Sequence, residues 1–523
     1  MKRPAWASIS GVTAILVFAS ANAFATETAG PSTAQVVVHA DQPGAIIHRE
    51  IYGQFAEQLG RGIYDGIWVG EGSDIPNIKG YRKDVVAALR AIRVPVIRWP
   101  GGCFADQYDW RDGIGPSDKR PVRMNYSWGG EESNAFGTHE FMDFAELIGA
   151  KTYISANVGS GTPREMSQWI EYMTADGHSS LAQERRANGR DKPWKVDYLG
   201  IGNESWGCGG NMRASYYVDN YRRYATFVHA SGNTPIVRVA SGANADDFAW
   251  TETVMAAAGD MIDAISLHNY TIPTGNWTHK GSATHFGEAE WMSTLQGALH
   301  MDDLIAKHSA IMDKYDPTKR VALAVDEWGN WFDPDPDAHG AALYQQNSLR
   351  DALTAAITLD IFHAHADRVR MANIAQMVNV LQAMILTKQD KMVLTPTYHV
   401  FDMYQVFQGA TYLPVEVHAP DYRFGAATVP SVHATAGRDA AGVVHVALVN
   451  LDPHHAENVR VRLAGIKVTS VQGQMLTAPS MDSINSFDHP DTVKPVSFHD
   501  AVFKDGVLSV AMPSKSVVEL DIH

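Results

Sequence analysis

The most constraining feature of the chain is a series of eight short, β-branched apolar runs, each followed by a polar or glycine-rich turn. Between the runs lie stretches with helical periodicity, such as YRKDVVAALRAI and THEFMDFAELIGA. Strand and helix in alternation predict a parallel (β/α)8 TIM barrel with its helices outside. A doubly wound open sheet is the alternative, but no Gly-x-Gly-x-x-Gly turn follows the first run. The runs centre near Ile51, Val96, Tyr153, Leu199, Val237, Ile265, Leu323 and Arg370.

The pattern changes after about Met403, where short alternating runs such as VVHVALVNL and VLSVAM are broken by glycine, proline and aspartate. Such alternation predicts an antiparallel β-sandwich, which we expect to resemble a jelly roll. The run AQVVVHA near the N-terminus has the same character. We therefore predict a strand within 26–48 that joins the sandwich, a catalytic barrel over 49–402 and the sandwich over 403–523.

Residues 1–25 have the layout of a signal peptide. Lys2 and Arg3 precede an apolar run from Gly11 to Ala19, and small residues that suit cleavage follow at Ala23 and Ala25. The run is shorter than the roughly 20 apolar residues that a membrane-spanning helix needs. The sequence thus predicts an exported protein, periplasmic or extracellular, with no membrane partner after leader cleavage.

The charge and the cysteine content of the chain argue against several classes of function. The formal net charge is −15 and basic residues do not cluster, so nucleic acid is not expected as a partner, whereas a neutral substrate is compatible. Only Cys103 and Cys208 are present, which excludes a disulfide framework or a four-cysteine metal site. A single bridge between them is compatible with an oxidising compartment, and the alternative is that Cys103 lines a pocket.

Polar residues that close the apolar runs are the candidate functional residues, because active sites of such barrels lie at the carboxyl ends of the strands. We expect them to converge on one mouth. In chain order they are Glu57, Arg98 with Cys103, Asn157, Asn203 with Glu204, Asn244, His268 with Tyr270, Glu327, and Gln376.

Glu204 and Glu327 form the most informative pair, since they end the fourth and seventh runs and would stand across the mouth. Enzymes that cleave glycosidic bonds use two facing carboxyl groups, one protonated and the other ionised. A separation of about 5 Å predicts retention of configuration and about 6.5–9.5 Å predicts inversion, so the sequence leaves both open. Tyr270 would donate to Glu327 and favour its ionised form.

Supporting residues have alternative interpretations. Arg98 would either pair with Glu57 or Glu204 or touch the sugar. His268 is predicted to be a hydrogen-bonded framework residue. No metal site is expected, because HEXXH spacing is absent among the 22 histidines. Of the tryptophans, one or two would stack on sugar and the others would be core: Trp68, Trp99, Trp110 and Trp128.

Several motifs together resemble glycoside hydrolase family 51, the α-L-arabinofuranosidases. They are GQFAEQLGRGIYDGIWVGE, RWPGGCFADQYDWRDGIGP, RANGRDKPWKVDYLGIGNESWG, AISLHNYT, AVDEWGNW and AQMVNVL, in order from about Ala34 to Tyr404. The resemblance implies retention, no metal or other cofactor, and a homo-oligomer. It departs from the family pattern at Gln58, Asn269 and Gly329, which leaves the shape of the pocket open.

Carried over residue by residue, the resemblance makes Glu204 the general acid/base and Glu327 the nucleophile. Asn203 would bind the sugar 2-hydroxyl, and Tyr270 would orient Glu327. The remaining sugar-binding residues would be Glu57, Cys103, Trp331 and Gln376, with Arg98, Asn157 and His268 in support.

We accordingly expect a retaining, exo-acting α-L-arabinofuranosidase that removes terminal groups from arabinoxylan, arabinan and their oligosaccharides by double displacement. The alternatives are a related hydrolase with another sugar preference, such as an endoglucanase or β-xylosidase, and a carbohydrate-binding protein without catalysis.

Overall fold

A computed structural model describes residues 33–231, 235–338 and 342–523. The predicted barrel is confirmed: eight parallel strands close on themselves, and each pairs with its neighbours in chain order. The strands are β1 (Gly53–Phe55), β2 (Val96–Trp99), β3 (Lys151–Ala156), β4 (Tyr198–Ile201), β5 (Val237–Asn244), β6 (Ala264–Thr271), β7 (Ala322–Asn330) and β8 (Val369–Ile374). The first predicted run is offset, since Ile51 lies in a 3-10 turn (Arg49–Tyr52) and pairing begins at Gly53.

Helices cover the outside of the barrel, as the alternation of strand and helix patterns predicts. They are α1 (Lys83–Ala91), α2 (Thr138–Ile148), α3 (Pro163–Thr174), α4 (Ser180–Ala187), α5 (Ala214–Ala225), α6 (Phe248–Ala258), α7 (Glu288–Tyr315), α8 (Leu349–Ala364) and α9 (Pro396–Tyr404). Helix α3 shows why these segments begin where they do: Thr162 accepts from the Glu165 amide, Glu165 reaches back to the Thr162 amide, and Pro163 opens the first turn. Among the described residues, no helix has the length and apolarity to cross a membrane.

Short 3-10 turns and two-stranded hairpins lie in the loops. The 3-10 turns after the first are Cys103–Gln107, Trp110–Gly113, Ser117–Lys119, Pro336–Ala338 and Gln405–Phe407. The hairpins pair Asn77–Ile78 with Tyr81–Arg82, Arg123–Met124 with Glu131–Glu132, Ile385–Lys388 with Lys391–Leu394, and Asp421–Phe424 with Ala427–Pro430. The Cys103–Gln107 turn and the Arg123–Glu132 hairpin both follow β2 and rise beside the mouth of the barrel.

Two sheets form the sheet-rich C-terminal part, in agreement with the predicted sandwich. One has the strand order Val415–His418, Ala34–His39, Glu457–Ala464, Val507–Met512, Ala501–Lys504. The other has the order Thr411–Tyr412, Val432–Arg438, Val444–Asn450, Ser516–Ile522, Val471–Leu476, Val496–Ser497. Strand Ala34–His39 runs parallel to Glu457–Ala464, so this one pairing departs from a purely antiparallel sandwich. It does so because the two strands come from opposite ends of the chain rather than from a hairpin.

The two faces of the second sheet pack against different hydrophobic cores. Val518 and Leu520 face the first sheet, whereas Ala447, Val449 and Val517 join the core of the barrel. Helix α8 lies at this contact and is buried almost all round, so its charged residues Arg350, Asp351 and Asp360 are buried together with its apolar ones. Helix α9 spans the predicted boundary between residues 402 and 403; the domain limits themselves stay predictions.

Candidate active site

A pocket of about 300 Å³ opens at the carboxyl ends of the barrel strands. This volume is at the small end of the range for small-molecule sites. Most of the residues predicted to converge there line it, namely Glu57, Cys103, Asn203, Glu204, Asn244, Tyr270, Glu327, Trp331 and Gln376. Asn157 does not: its amide donates to the Tyr108 carbonyl and the Ser160 hydroxyl, so it holds the turn after β3. Arg98 and His268 lie beneath the lining residues and contact them.

Glu204 and Glu327 approach each other closely. One carboxylate oxygen from each, together with a ring nitrogen of His268, forms a group whose members all lie within 4.8 Å of one another. Glu327 is buried at the end of β7, while Glu204 follows β4 and is partly exposed. Glu204 has a φ of 38°, a left-handed conformation that costs a non-glycine residue free energy and is typical of functional sites. The turn after β4 thus aims this carboxylate into the pocket.

Glu327 accepts hydrogen bonds from two sides. Arg98 donates through Nη1 to Oε1 over 2.7 Å, and the Tyr270 hydroxyl donates to Oε2 over 2.8 Å. Arg98 also donates through Nη2 to the Asn203 side chain. The predicted partners of Arg98 were Glu57 or Glu204, and that prediction is wrong. A cation from β2 reaches across the barrel to β7, a contact that no local motif contains.

His268 links three carboxyl groups. Its Nδ1 lies 3.0 Å from Oε1 of Glu204 and 3.5 Å from Oε2 of Glu327, and its Nε2 lies 3.2 Å from Oδ1 of Asp326. Burial alone would lower the pKa of His268, but Glu327, Asp326 and Glu204 outweigh it and raise the pKa to about 10. The ring is therefore a buried cation that donates to the carboxylates around it.

Asp326 is the charged residue that the sequence analysis missed. It accepts from the Tyr153 hydroxyl over 2.7 Å and lies 3.7 Å from Nε of Arg98. Burial alone would raise its pKa, but Arg98 and His268 hold the pKa below its usual value. The position next to Glu327 in the DEW motif was a signal, because a charged residue beside a buried carboxylate needs a partner of its own.

Glu57 closes the floor of the pocket. Its Oε1 accepts from the amides of Gly102 and Phe104, and its Oε2 accepts from the Gln376 side chain. Burial, with the nearby charge of Glu327, raises the pKa of Glu57 to about 7 against the effect of the Phe104 amide. In the described part of the chain, Oε1 of Gln376 and Nε1 of Trp331 have no hydrogen-bond partner although both are buried. They offer an acceptor and a donor to a hydroxylated ligand.

Aromatic residues form the upper wall, and sequence reasoning found only part of them. Trp128 and Trp331 line the pocket, whereas Trp99 and Trp110 are core residues and Trp68 packs against the core. Trp206 and Trp277 also line it and were not predicted. Trp277 is 55% exposed and meets Trp331 edge to face, with ring centroids 5.4 Å apart. It lies in the long loop after β6, where no periodicity marks it.

A disulfide joins Cys103 and Cys208 beside the pocket, which decides between the two alternatives: the cysteines are bridged, and Cys103 also lines the pocket. The bond ties the turn after β2 to the turn after β4. Sγ of Cys208 lies 3.6 Å from Oε2 of Glu204. No local sequence pattern predicts this contact, because the two cysteines are 105 residues apart.

Two α-L-arabinofuranosidase family models match the chain. The α-L-arabinofuranosidase 1 domain matches residues 88–290, and the α-L-arabinofuranosidase C-terminal domain matches residues 326–516. The chain is 50% identical to an intracellular exo-α-L-arabinofuranosidase of Bacteroides ovatus, over 97% of this chain and 99% of the relative.

Solved structures agree with these sequence matches. A family 51 arabinofuranosidase from Xanthomonas axonopodis pv. citri is 56% identical, with a TM-score of 0.93 over 94% of this chain and 100% of that one. An α-L-arabinofuranosidase from Thermotoga maritima, in complex with arabinose, is 31% identical, with a TM-score of 0.82 over 94% of this chain and 99% of that one.

The expectation of an exported protein is wrong in the light of the Bacteroides relative, which is named as intracellular and matches along almost its whole length. The prediction rested on a short apolar run after two basic residues, a compositional pattern that is weak by itself. That run falls within residues 1–32, outside the described part of the chain. The family models, the relative that is 50% identical and the solved structures all match α-L-arabinofuranosidases. The chain therefore belongs to glycoside hydrolase family 51, the α-L-arabinofuranosidases.

Proposed function

We propose that this protein is a retaining, exo-acting α-L-arabinofuranosidase in which Glu327 is the nucleophile and Glu204 the general acid/base. The observation that carries the proposal is the approach of one oxygen from each carboxylate to within 4.8 Å. Retaining enzymes hold their carboxyl groups about 5–5.5 Å apart, whereas inverting enzymes leave about 6.5–9.5 Å for a water. The gap here favours direct attack on the sugar by a carboxylate.

The hydrogen bonds support the division of roles. Glu327 accepts from Arg98 and from Tyr270, which stabilises the negative charge that a nucleophile needs. Glu204 is more exposed, and its Oε1 lies 3.0 Å from Nδ1 of His268.

The reaction then follows in two displacements. Glu327 attacks the anomeric carbon of a terminal arabinofuranosyl group while Glu204 gives its proton to the departing glycosidic oxygen, which leaves a glycosyl ester on Glu327. Glu204, now ionised, takes a proton from water, and that water cleaves the ester and restores both carboxyl groups. Asn203, held by Arg98, is placed to bind the sugar 2-hydroxyl, and Glu57 with Gln376 would bind other ring hydroxyls.

The shape of the site supports the exo mode and the substrate class. A small pocket of about 300 Å³ suits one terminal sugar rather than the middle of a polymer. The Thermotoga relative was solved with arabinose. We extend the proposal to arabinoxylan, arabinan and their oligosaccharides as substrates. Homo-oligomerisation stays a prediction, which size-exclusion chromatography with light scattering would test.

The leaving-group dependence of two variants tests the roles. Glu204→Ala should keep much of the rate of the first displacement on an activated nitrophenyl α-L-arabinofuranoside, seen as a burst of nitrophenol, because that leaving group needs no proton. The same variant should lose the rate on arabinoxylo-oligosaccharides. Glu327→Ala should lose both, because no covalent intermediate forms. Glu252→Ala, an exposed carboxylate on α6, is the matched control and should behave as the parent. Equal activity of Glu327→Ala and the parent would overturn the proposal.

A further inference from the structure

Two sulfurs and a carboxylate meet at the rim of the pocket. The ligating atoms of Cys103, Cys208 and Glu204 all lie within 4.8 Å of one another. The two cysteines have Cα atoms 5.4 Å apart and are now bonded. Cys208 is exposed and Cys103 is partly exposed, so the bond is open to reagents from solution.

We propose that reduction of the Cys103–Cys208 disulfide creates a binding site for a soft divalent metal ion such as Zn²⁺, with Glu204 as the third ligand. The metal would then hold the carboxylate that we assign as acid/base, so the loaded protein would be inactive. The inhibitory part rests on the proposed function, whereas the binding part rests on geometry alone.

The redox step balances with a dithiol as the reductant. Its two thiols supply two electrons and two protons, so the S–S bond breaks, two cysteine thiols form and the dithiol becomes a cyclic disulfide. Binding of one divalent ion then displaces both thiol protons into solution, because thiolate is the form that ligates. No further oxidant or co-reactant is required.

The distances suit a tetrahedral ion. With Zn–S bonds of about 2.3 Å, tetrahedral geometry sets the two sulfurs about 3.8 Å apart. The Cα atoms of the two cysteines are 5.4 Å apart, so after reduction rotation of the cysteine side chains over fixed backbones would allow this spacing. Oε2 of Glu204, 3.6 Å from Sγ of Cys208, then needs a small shift to become a third ligand. Solvent would fill the fourth position, since the site faces outward.

A second group near the pocket differs from this site in one testable respect. Glu204, His268 and Glu327 also place ligating atoms within 4.8 Å of one another. That group contains no sulfur, so it offers no thiolate to a soft metal ion. Binding at that group would be the same in the oxidised and reduced protein, so redox dependence identifies the thiol site.

The experiment is a Co²⁺ and Zn²⁺ titration of the full chain, oxidised and reduced, under anaerobic conditions with excess reductant removed. We expect the reduced protein to bind one ion more than the oxidised protein and to show a sulfur-to-cobalt charge-transfer band. The chain has two cysteines in all, so any such band reports this pair. Hydrolysis of nitrophenyl arabinofuranoside should fall to background with Zn²⁺ in the reduced protein and return with a chelator.

Three results would overturn the proposal: equal metal binding before and after reduction, no sulfur-to-cobalt band, or an unchanged band in Cys208→Ser. Reduced Glu204→Gln tests the third ligand and should bind Zn²⁺ at least about 10- to 100-fold more weakly, the loss that even an outer partner causes. The oxidised form of the same variant separates the two proposals. If it hydrolyses arabinoxylo-oligosaccharides at the parent rate, the acid/base assignment fails while the metal site stands.

Discussion

The hydroxyl of Tyr270 donates a 2.8 Å hydrogen bond to Oε2 of Glu327, on the side of the carboxylate opposite to Arg98. Burial, with the charges of Glu327 and Glu204, raises the pKa of Tyr270 well above its usual value, so the group remains a donor. Two donors on opposite sides leave the carboxylate little freedom to rotate. Tyr270 and Arg98 together therefore hold Glu327 in one orientation.

Tyr270→Phe should lower kcat without unfolding the protein. A hydrogen bond to a charged group contributes about 1.5–3 kcal/mol, which corresponds to roughly 10- to 150-fold in rate. Steady-state kinetics on nitrophenyl arabinofuranoside would measure the loss. Tyr422→Phe, which removes a hydroxyl bonded to Glu288 far from the pocket, is the matched control. A Tyr270→Phe enzyme as fast as that control would show that Arg98 alone positions Glu327.

Gly102→Ala should damage the site through a direct clash. A Cβ at Gly102 would lie 2.9 Å from Oε1 of Glu327 and 3.3 Å from Nδ2 of Asn203. Displacement of a reacting group by about 1 Å can cost 100-fold in rate, so we expect a loss of about that size in kcat. Gly177→Ala adds a Cβ in open space and should retain the parent activity. Kinetics with circular dichroism on both variants would distinguish a lost site from a lost fold.

Trp277→Ala should weaken binding of long substrates more than of small ones. The ring is half exposed at the rim, and its edge-to-face contact with Trp331 presents a surface to the part of the substrate outside the pocket. Loss of an aromatic contact of about 0.5–1.5 kcal/mol corresponds to a rise in KM of roughly 2- to 12-fold for arabinoxylo-oligosaccharides. The KM for nitrophenyl arabinofuranoside should change less. Phe503→Ala, on an edge strand of the sandwich, serves as the control; an equal rise for both substrates would contradict the prediction.

The sandwich should lose stability as the pH rises from about 6 to 9. His445 lies 2.5 Å from Asp521, 3.7 Å from Glu519 and 3.5 Å from Asp439. Burial lowers the pKa of His445, but Asp521 and Glu519 raise it to about 9; burial raises the pKa of Glu519 to about 7. Both groups hold a proton more tightly in the folded state, so each contribution is present at low pH and is lost through its folded pKa.

Thermal unfolding between pH 6 and pH 9 measures this effect. One unit of pKa difference corresponds to about 1.4 kcal/mol, but the two groups share one network and their contributions do not add. The double variant His445→Gln/Glu519→Gln should flatten the pH dependence because both titrating groups are gone. A variant with the same slope as the parent would place the pH dependence elsewhere.

How much of this structure the sequence predicts depends on how far apart in the chain the interacting residues lie. Strand ends such as Asn203-Glu204 and Asp326-Glu327 are local signals, because a polar residue that closes an apolar run must lie at the barrel mouth. The pairing of Arg98 with Glu327 has no such signal, since it spans the barrel between β2 and β7. Asn157 also follows a strand and was predicted to lie at the barrel mouth. Its side-chain amide instead forms hydrogen bonds within and beside its own loop, as asparagine commonly does.

Loop residues escaped prediction for a related reason. Trp277 and Trp206 lie in irregular segments, where neither helical nor strand periodicity marks the side that faces the pocket. The disulfide was one of two alternatives, because bringing Cys103 and Cys208 together requires the closed barrel to set β2 near β4. The meeting of strand ends, such as Tyr270 with Glu327, was therefore predictable, whereas the contact of Arg98 with Glu327 and the position of Trp277 were not.

The stereochemistry of methanolysis tests the central claim most directly. With nitrophenyl α-L-arabinofuranoside and methanol as the acceptor, attack on a glycosyl ester of Glu327 from the original face gives methyl α-L-arabinofuranoside. Nuclear magnetic resonance of the initial product distinguishes the two anomers before any secondary hydrolysis. We predict the α anomer. A β product would mean that a solvent molecule fits between Glu204 and Glu327 during the reaction, which contradicts a single double-displacement site.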